Sequence, residues 1–100
     1  MDHSITVSGN QVTASLGGKV YSQDASVFRD EMLESINRGA TEIKIDMSGL
    51  TYIDSTGLGV LITIHKRTKE KNGSLRVSGA QGMVEQLFKR TRLDHILTME

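Results

Sequence analysis

IDMSGLTYIDSTGLGVLI, residues Ile45 to Ile62, changes its period in the middle, and the fold turns on that change. Upstream, Glu42 to Met47 alternates, with Ile43, Ile45 and Met47 on one face and Lys44 and Asp46 on the other, the signature of a strand. From Ser55 to Asn72 the sequence suits a helix. Its first turns are apolar on several sides (Leu58, Val60, Leu61, Ile62, Ile64) and its last turns are basic (Lys66, Arg67, Lys69, Lys71). Asp54-Ser55-Thr56-Gly57 therefore falls where strand gives way to helix. A hydroxyl at a helix N-terminus meets unpaired N–H groups and the positive end of the helix dipole, so Ser55 is well placed to carry a phosphate. The stretch reads as a switch.

Outward from this centre, strand and helix alternate. Ile5 and Val7, then Val12, Ala14 and Leu16, give two alternating runs with Gly9-Asn10 between them as a two-residue hairpin turn. Gly17-Gly18 is expected to break the second strand. Ser22 or Asp24 is the candidate N-cap of a helix whose apolar stripe is Ala25, Phe28, Met32 and Ile36, widened by Leu33 and ending near Gly39. Beyond the central helix, Asn72-Gly73 supplies a left-handed stop, and the basic run before it complements the helix dipole. Leu75 and Val77 mark a fourth strand, Met83, Val84, Leu87 and Phe88 a third helix, and Ile96-Leu97 a short extended tail. An opening hairpin followed by alternating strands and helices predicts an α/β fold, a mixed, mainly parallel sheet with helices packed against it.

Composition narrows the function. One hundred residues fit one domain, residues 1–100, with no linker, repeat or low-complexity run to divide it. Twelve Lys and Arg balance twelve Asp and Glu, so no overall field favours nucleic acid or an anionic membrane, and no aromatic residues interleave with the basic run. There is no Cys, so neither a disulfide framework nor a thiolate metal site is available, which fits a cytoplasmic setting. MDHSITVSGN lacks the features of a signal peptide, and the longest apolar cluster, Leu58 to Ile64, is too short to span a bilayer.

The enzyme readings of Ser55 fail on spacing. A nucleophile elbow needs G-x-S-x-G, but Ile53 stands two residues before Ser55. An aspartic-protease loop places Gly directly after its Ser or Thr, whereas Thr56 separates Ser55 from Gly57. Gly57-Leu58-Gly59 lacks the third Gly of a dinucleotide fingerprint, since Ile62 occupies its place, and its plainer meaning is close packing at the start of a buried helix. His3, His65 and His95 are scattered without a partner at ligand spacing, so no metal or other cofactor is expected. Taken by themselves, Asp54 and Ser55 read first as a helix cap that satisfies orphan N–H groups.

The company they keep gives them a sharper meaning. Ile45-Asp46-Met47-Ser48, Leu50, Ile53-Asp54-Ser55-Thr56-Gly57-Leu58-Gly59 and Leu61 closely resemble, position by position, the signature of the STAS domain, in particular of bacterial anti-sigma factor antagonists. Gly18-Lys19-Val20 and Ala25 look like that family's entry to its first helix, and Val84, Leu87, Phe88, Thr91 and Leu93 like the hydrophobic pattern of its last. The resemblance implies a non-enzymatic switch. Ser55, with Thr56 as the neighbouring alternative, corresponds to the residue phosphorylated by an anti-sigma factor that is itself a Ser/Thr kinase. The unphosphorylated form binds that kinase and frees the sigma factor, and a Ser/Thr phosphatase resets the cycle. Tyr21, Asp24, Asp54, Ser55, Thr56, Gly57 and Leu58 are the expected partner-binding residues. Two positions depart from the pattern: Tyr21 stands where Asp is common and near the signature loop, and Arg92 stands where Gly is usual, with a local effect expected on the last helix's cap. The alternative function is a constitutive STAS docking or scaffold subunit of a transport or stressosome-like assembly, with Ser55 only a cap. A Ser-dependent hydrolase lacks both base and oxyanion motif.

Overall fold

A computed structural model describes all residues, 1–100. Strand β1 (Asp2–Ser8) turns through Gly9-Asn10 into β2 (Gln11–Val20), and the two pair antiparallel with Ser8 opposite Gln11. Gly9, at φ 61°, occupies the first central position, where a type II′ turn requires glycine. The expected break at Gly17-Gly18 does not occur. The strand bends there, shifting register against its other neighbour on either side of the pair, and Gly18 at φ 71° absorbs the irregularity.

Helix α1 (Ser22–Asn37) crosses to β3 (Glu42–Ile53), α2 (Ser55–Glu70) to β4 (Ser74–Ser78), and α3 (Gly82–Arg90) with a 3-10 turn (Leu93–His95) to β5 (Thr98–Met99). The five strands lie in the order of the chain, and every pair after the first is parallel. Crossovers between parallel strands share one hand, so three successive ones in chain order place the three helices on one face. That face holds the core: Val12, Ala14 and Leu16 of β2, Ile43, Ile45 and Met47 of β3, and Leu75 and Val77 of β4, against Phe28, Met32 and Ile36, Leu61 and Ile64, and Val84 and Phe88. The opposite face is open and polar, with Thr13, Lys44 and Arg76 adjacent in register. The α/β fold expected from the sequence is the fold observed.

Several boundaries differ. Strand β3 runs six residues past Met47, and α2 stops at Glu70, two residues short of Asn72. Neither Ser22 nor Asp24 is the N-cap of α1. Tyr21 holds that position, and the Asp24 carboxylate, on the first turn, accepts a hydrogen bond from the Tyr21 N–H at 3.2 Å. Asn72, at φ 60°, is the left-handed residue after α2, whereas Gly73 is needed because a Cβ there would run into the Thr41 backbone. The tail becomes extended only at Thr98, after Leu97 has entered the core. No helix is long and apolar enough to cross a membrane.

Candidate functional site

The C-terminal ends of β2, β3 and β4 lie along one edge of the sheet, and α1, α2 and α3 all start from it, as ligand-bearing sites of open parallel sheets do. Val20 and Ile53 pair in the last register of β2 and β3, and each strand leads directly into a helix start. Tyr21 and Tyr52 meet at this edge. Their ring centroids are 5.5 Å apart and tilted by 43°, and both rings remain exposed. This contact brings Tyr21 beside the signature segment, while Asp24 is held at its own helix start.

At the head of α2 the roles of Asp54 and Ser55 separate. Asp54 is the N-cap, its backbone extended at φ −93° and ψ 180°, and its Oδ1 accepts from the Gly57 N–H at 2.9 Å. Ser55 is the first helical residue, exposed, and its hydroxyl makes no hydrogen bond within the protein. Leu58 N–H reaches the Asp54 carbonyl at 3.1 Å, which leaves the amides of Ser55 and Thr56 without protein acceptors. Gly57 lets the first turn lie against the sheet: a Cβ there would sit 2.5 Å from Ile53 Cγ1 and 3.6 Å from Val20 Cγ1. Gly59 has no such role, since a Cβ there would meet nothing within 4 Å, so close packing accounts for only the first glycine of Gly57-Leu58-Gly59.

Beside Ser55 runs a groove of about 460 Å³. Tyr52, Ile53, Asp54, Ser55 and Leu58 form one wall, and Met83, Val84, Leu87 and Arg90 of α3, with Thr91 just after it, form the other. Met83, expected on the helix's apolar stripe, is instead 70% exposed at the rim, because Val84 and Phe88 already fill the core-facing side. Tyr52, Met83, Leu87 and Arg90 had no place among the expected partner-binding residues. The signal for them is a surplus: a nine-residue helix with four large apolar residues has more than one narrow stripe can bury.

The first half of the signature anchors the α3 wall. Asp46 accepts from the Ser48 amide at 3.0 Å and from its hydroxyl at 3.2 Å, and Gly79, at φ 77°, packs so tightly that a Cβ would lie 2.8 Å from Asp46 Oδ1. The Gln81 side-chain amide donates to the Ser48 carbonyl at 2.7 Å. These contacts fasten the start of α3 to β3.

Comparison with known proteins agrees with this fold. The "Anti-sigma-B factor antagonist" of Bacillus subtilis (strain 168) is 30% identical over 88 residues, which cover 88% of this chain and 80% of that protein. Among solved structures, the anti-sigma factor antagonist SpoIIAA in its unphosphorylated form superposes with a TM-score of 0.88 at 19% identity, covering 99% of this chain and 88% of that one. The phosphorylated form of the Bacillus cell fate determinant SpoIIAA gives a TM-score of 0.81 at 18% identity, covering 99% and 91%. At such identities these likenesses speak for the fold. The family profile described as "Mlab, STAS domain" matches residues 3–98, and the chain belongs to the STAS domain family.

Proposed function

We propose that this chain is an anti-sigma factor antagonist switched by phosphorylation of Ser55. Unphosphorylated, it docks through the α2 head, Tyr21 and the adjoining groove onto an anti-sigma factor that is a Ser/Thr kinase, and the sigma factor is released. In that complex the Ser55 Oγ attacks the γ-phosphorus of ATP. The new O–P bond forms as the bond to ADP breaks, and the hydroxyl proton passes to a base of the kinase. A Ser/Thr phosphatase hydrolyses the ester and restores the hydroxyl. The chain is a substrate throughout and no enzyme itself, and residues 1–100 act as one module in the cytoplasm.

The observation that carries this reading is the division of labour at the start of α2. Asp54 supplies the cap, so Ser55 is not needed for it, and its exposed hydroxyl has no partner in the protein. A constitutive docking subunit has use for the groove but none for that hydroxyl. The names of the relatives support the same role, and SpoIIAA is known in both an unphosphorylated and a phosphorylated form. Phosphorylation adds about 1.5 to 2 negative charges next to the Asp54 carboxylate. A partner packed over Ser55 must desolvate them, and a hundredfold loss of affinity requires only about 2.8 kcal/mol.

The test is to incubate the protein with the candidate anti-sigma kinases of its genome and ATP, and to locate phosphate by mass spectrometry in wild type and Ser55→Ala. Phosphate on Ser55, with Ser55→Ala binding its kinase without being released by ATP, is the expected outcome. Absence of label at both Ser55 and Thr56, together with no binding to any anti-sigma factor, would transfer the assignment to a constitutive docking module.

A further inference from the structure

We propose that, once Ser55 carries a phosphate, the Arg90 guanidinium captures it inside the groove between the α2 head and α3, so that the modification closes the docking groove from within. This rests on the phosphorylation of Ser55 proposed above and specifies what the phosphate does in the same chain.

Ser55 and Arg90 line the same groove from opposite walls, 35 positions apart in sequence. Both side chains border one groove of about 460 Å³, and each is long enough once phosphorylated or extended to reach into it. Arg90 is also uncommitted. Its neighbour Lys89 pairs with Glu85 at 3.7 Å one turn back, and the other ion pairs lie on α1, on α2, between His3 and Glu31, and between Asp94 and His95, none involving Arg90. The ionisable groups lining the groove are therefore the Tyr52 phenol, the Asp54 carboxylate and this one cation.

A phosphate introduced next to Asp54 meets a like charge, and Arg90 is the group in the groove that can offset it. Guanidinium binds phosphate in a two-point fork, and the apolar walls of Ile53, Leu58, Val84 and Leu87 reduce the screening of the pair by water. The unpaired Ser55 and Thr56 amides provide two further donors. Closing this pair draws the charged ends across the groove mouth and covers the apolar surface a partner would use.

The latch is tested without any kinase, by placing phosphoserine at position 55 during translation of the full chain. Phosphorus NMR then gives the second ionisation of the phosphate, ordinarily near pH 6, in the wild type, Arg90→Gln and Arg90→Lys. The wild-type value is expected to lie about half a unit or more below that of Arg90→Gln, with Arg90→Lys between them and the gap narrowing as salt is raised. The α2 head is common to all three proteins, so the difference isolates Arg90. Backbone amide shifts of Met83 and Leu87 should respond to phosphorylation in wild type and much less in Arg90→Gln. Equal ionisation in wild type and Arg90→Gln, or amide changes that survive the substitution, overturns the latch. Failure of kinases to label Ser55 is a separate result and bears on the proposed function instead.

Discussion

Two glycines two positions apart in α2 should respond to alanine with opposite signs. Gly57 and Gly59 are both helical, so local propensity treats them alike: Gly to Ala favours a helix by about 0.8–1 kcal/mol in its interior, and somewhat less at its first turn. Their surroundings differ. At Gly57 the new Cβ would lie 2.5 Å from Ile53 Cγ1 and 2.9 Å from its Cδ1, and Ile53 is a buried, β-branched residue with little freedom at χ1. Relieving the overlap means moving α2 off the sheet or forcing Ile53 off its rotamer, an overpacking penalty of about 1–3 kcal/mol that exceeds the propensity gain. At Gly59 nothing stands within 4 Å. For a domain of this size 1 kcal/mol corresponds to about 5 °C in Tm. Gly57→Ala should therefore melt about 2–12 °C lower, and Gly59→Ala about 2–5 °C higher, by calorimetry at equal protein concentration. A Gly57→Ala protein as stable as wild type would refute the claim that close approach fixes this residue, and a destabilised Gly59→Ala would refute the assignment of open space beside it.

Asp54→Ala should lower stability by about 1 kcal/mol through loss of the 2.9 Å cap to Gly57, whereas Asp54→Asn keeps an acceptor and should lose much less; equal loss in urea titrations would mean that charge matters more than the cap. Arg92 has φ 61°, which disfavours a side chain by about 1–2 kcal/mol, partly offset because glycine loses more freedom on folding, so Arg92→Gly should gain about 0.5–1 kcal/mol. A loss in the same titration would show that the arginine side chain makes contacts that outweigh its backbone. The ionisation of His65 is shifted below 6.5 by burial and, secondarily, by the nearby Lys69 charge, and its Nδ1 is buried without a partner. The unfolded chain therefore takes up a proton at 6.5 that the folded chain still refuses, so the stabilising contribution is complete above that pH and is lost as pH falls through the lowered folded value. His65→Gln should flatten the fall of Tm between about pH 7 and pH 5, with the His3–Glu31 pair common to both proteins, and an unchanged slope would remove His65 from the account.

Much of this fold is legible in the sequence because its strands obey period two and its helices period 3.6 wherever one face is buried, as in Ile43, Ile45 and Met47 or in Ala25, Phe28, Met32 and Ile36. The misreadings have a shared cause in tertiary structure. Past Met47 the buried residues of β3 come at Leu50 and Ile53, steps of three that no strand pattern suggests. They arise because β4 pairs β3 only as far as Asp46, and the remainder follows the irregular register of β2 around Gly17 and Gly18. The two glycines therefore bend a strand that local chemistry would end. The candidate site divides in the same way. The α2 head is written locally, in a cap, a free hydroxyl and a glycine, and the signature makes it conspicuous. The opposite wall comes from α3 through the chain's crossover, and no spacing rule joins Arg90 or Met83 to Ser55.

Both halves of the signature shape that groove although only one of them lines it. Asp46 and Ser48 bond to each other, and the Ser48 carbonyl holds the side chain of Gln81, which occupies the N-cap position of α3. Glutamine is a poor choice for capping, and here its amide makes no bond to its own helix. It reaches across to β3 instead, so a local preference is set aside for a tertiary tie. Gly79 makes the tie short, since only a residue without Cβ can approach Asp46 and Ser48 so closely at φ 77°. The consequence is positional: Met83, Leu87 and Arg90 follow from an anchored helix start and face a Ser55 that is itself fixed by Asp54 and Gly57. The switch proposed at Ser55 requires a second surface near enough to register its charge, and the Asp46-Ser48 half of the signature ties the α3 wall that offers one to β3.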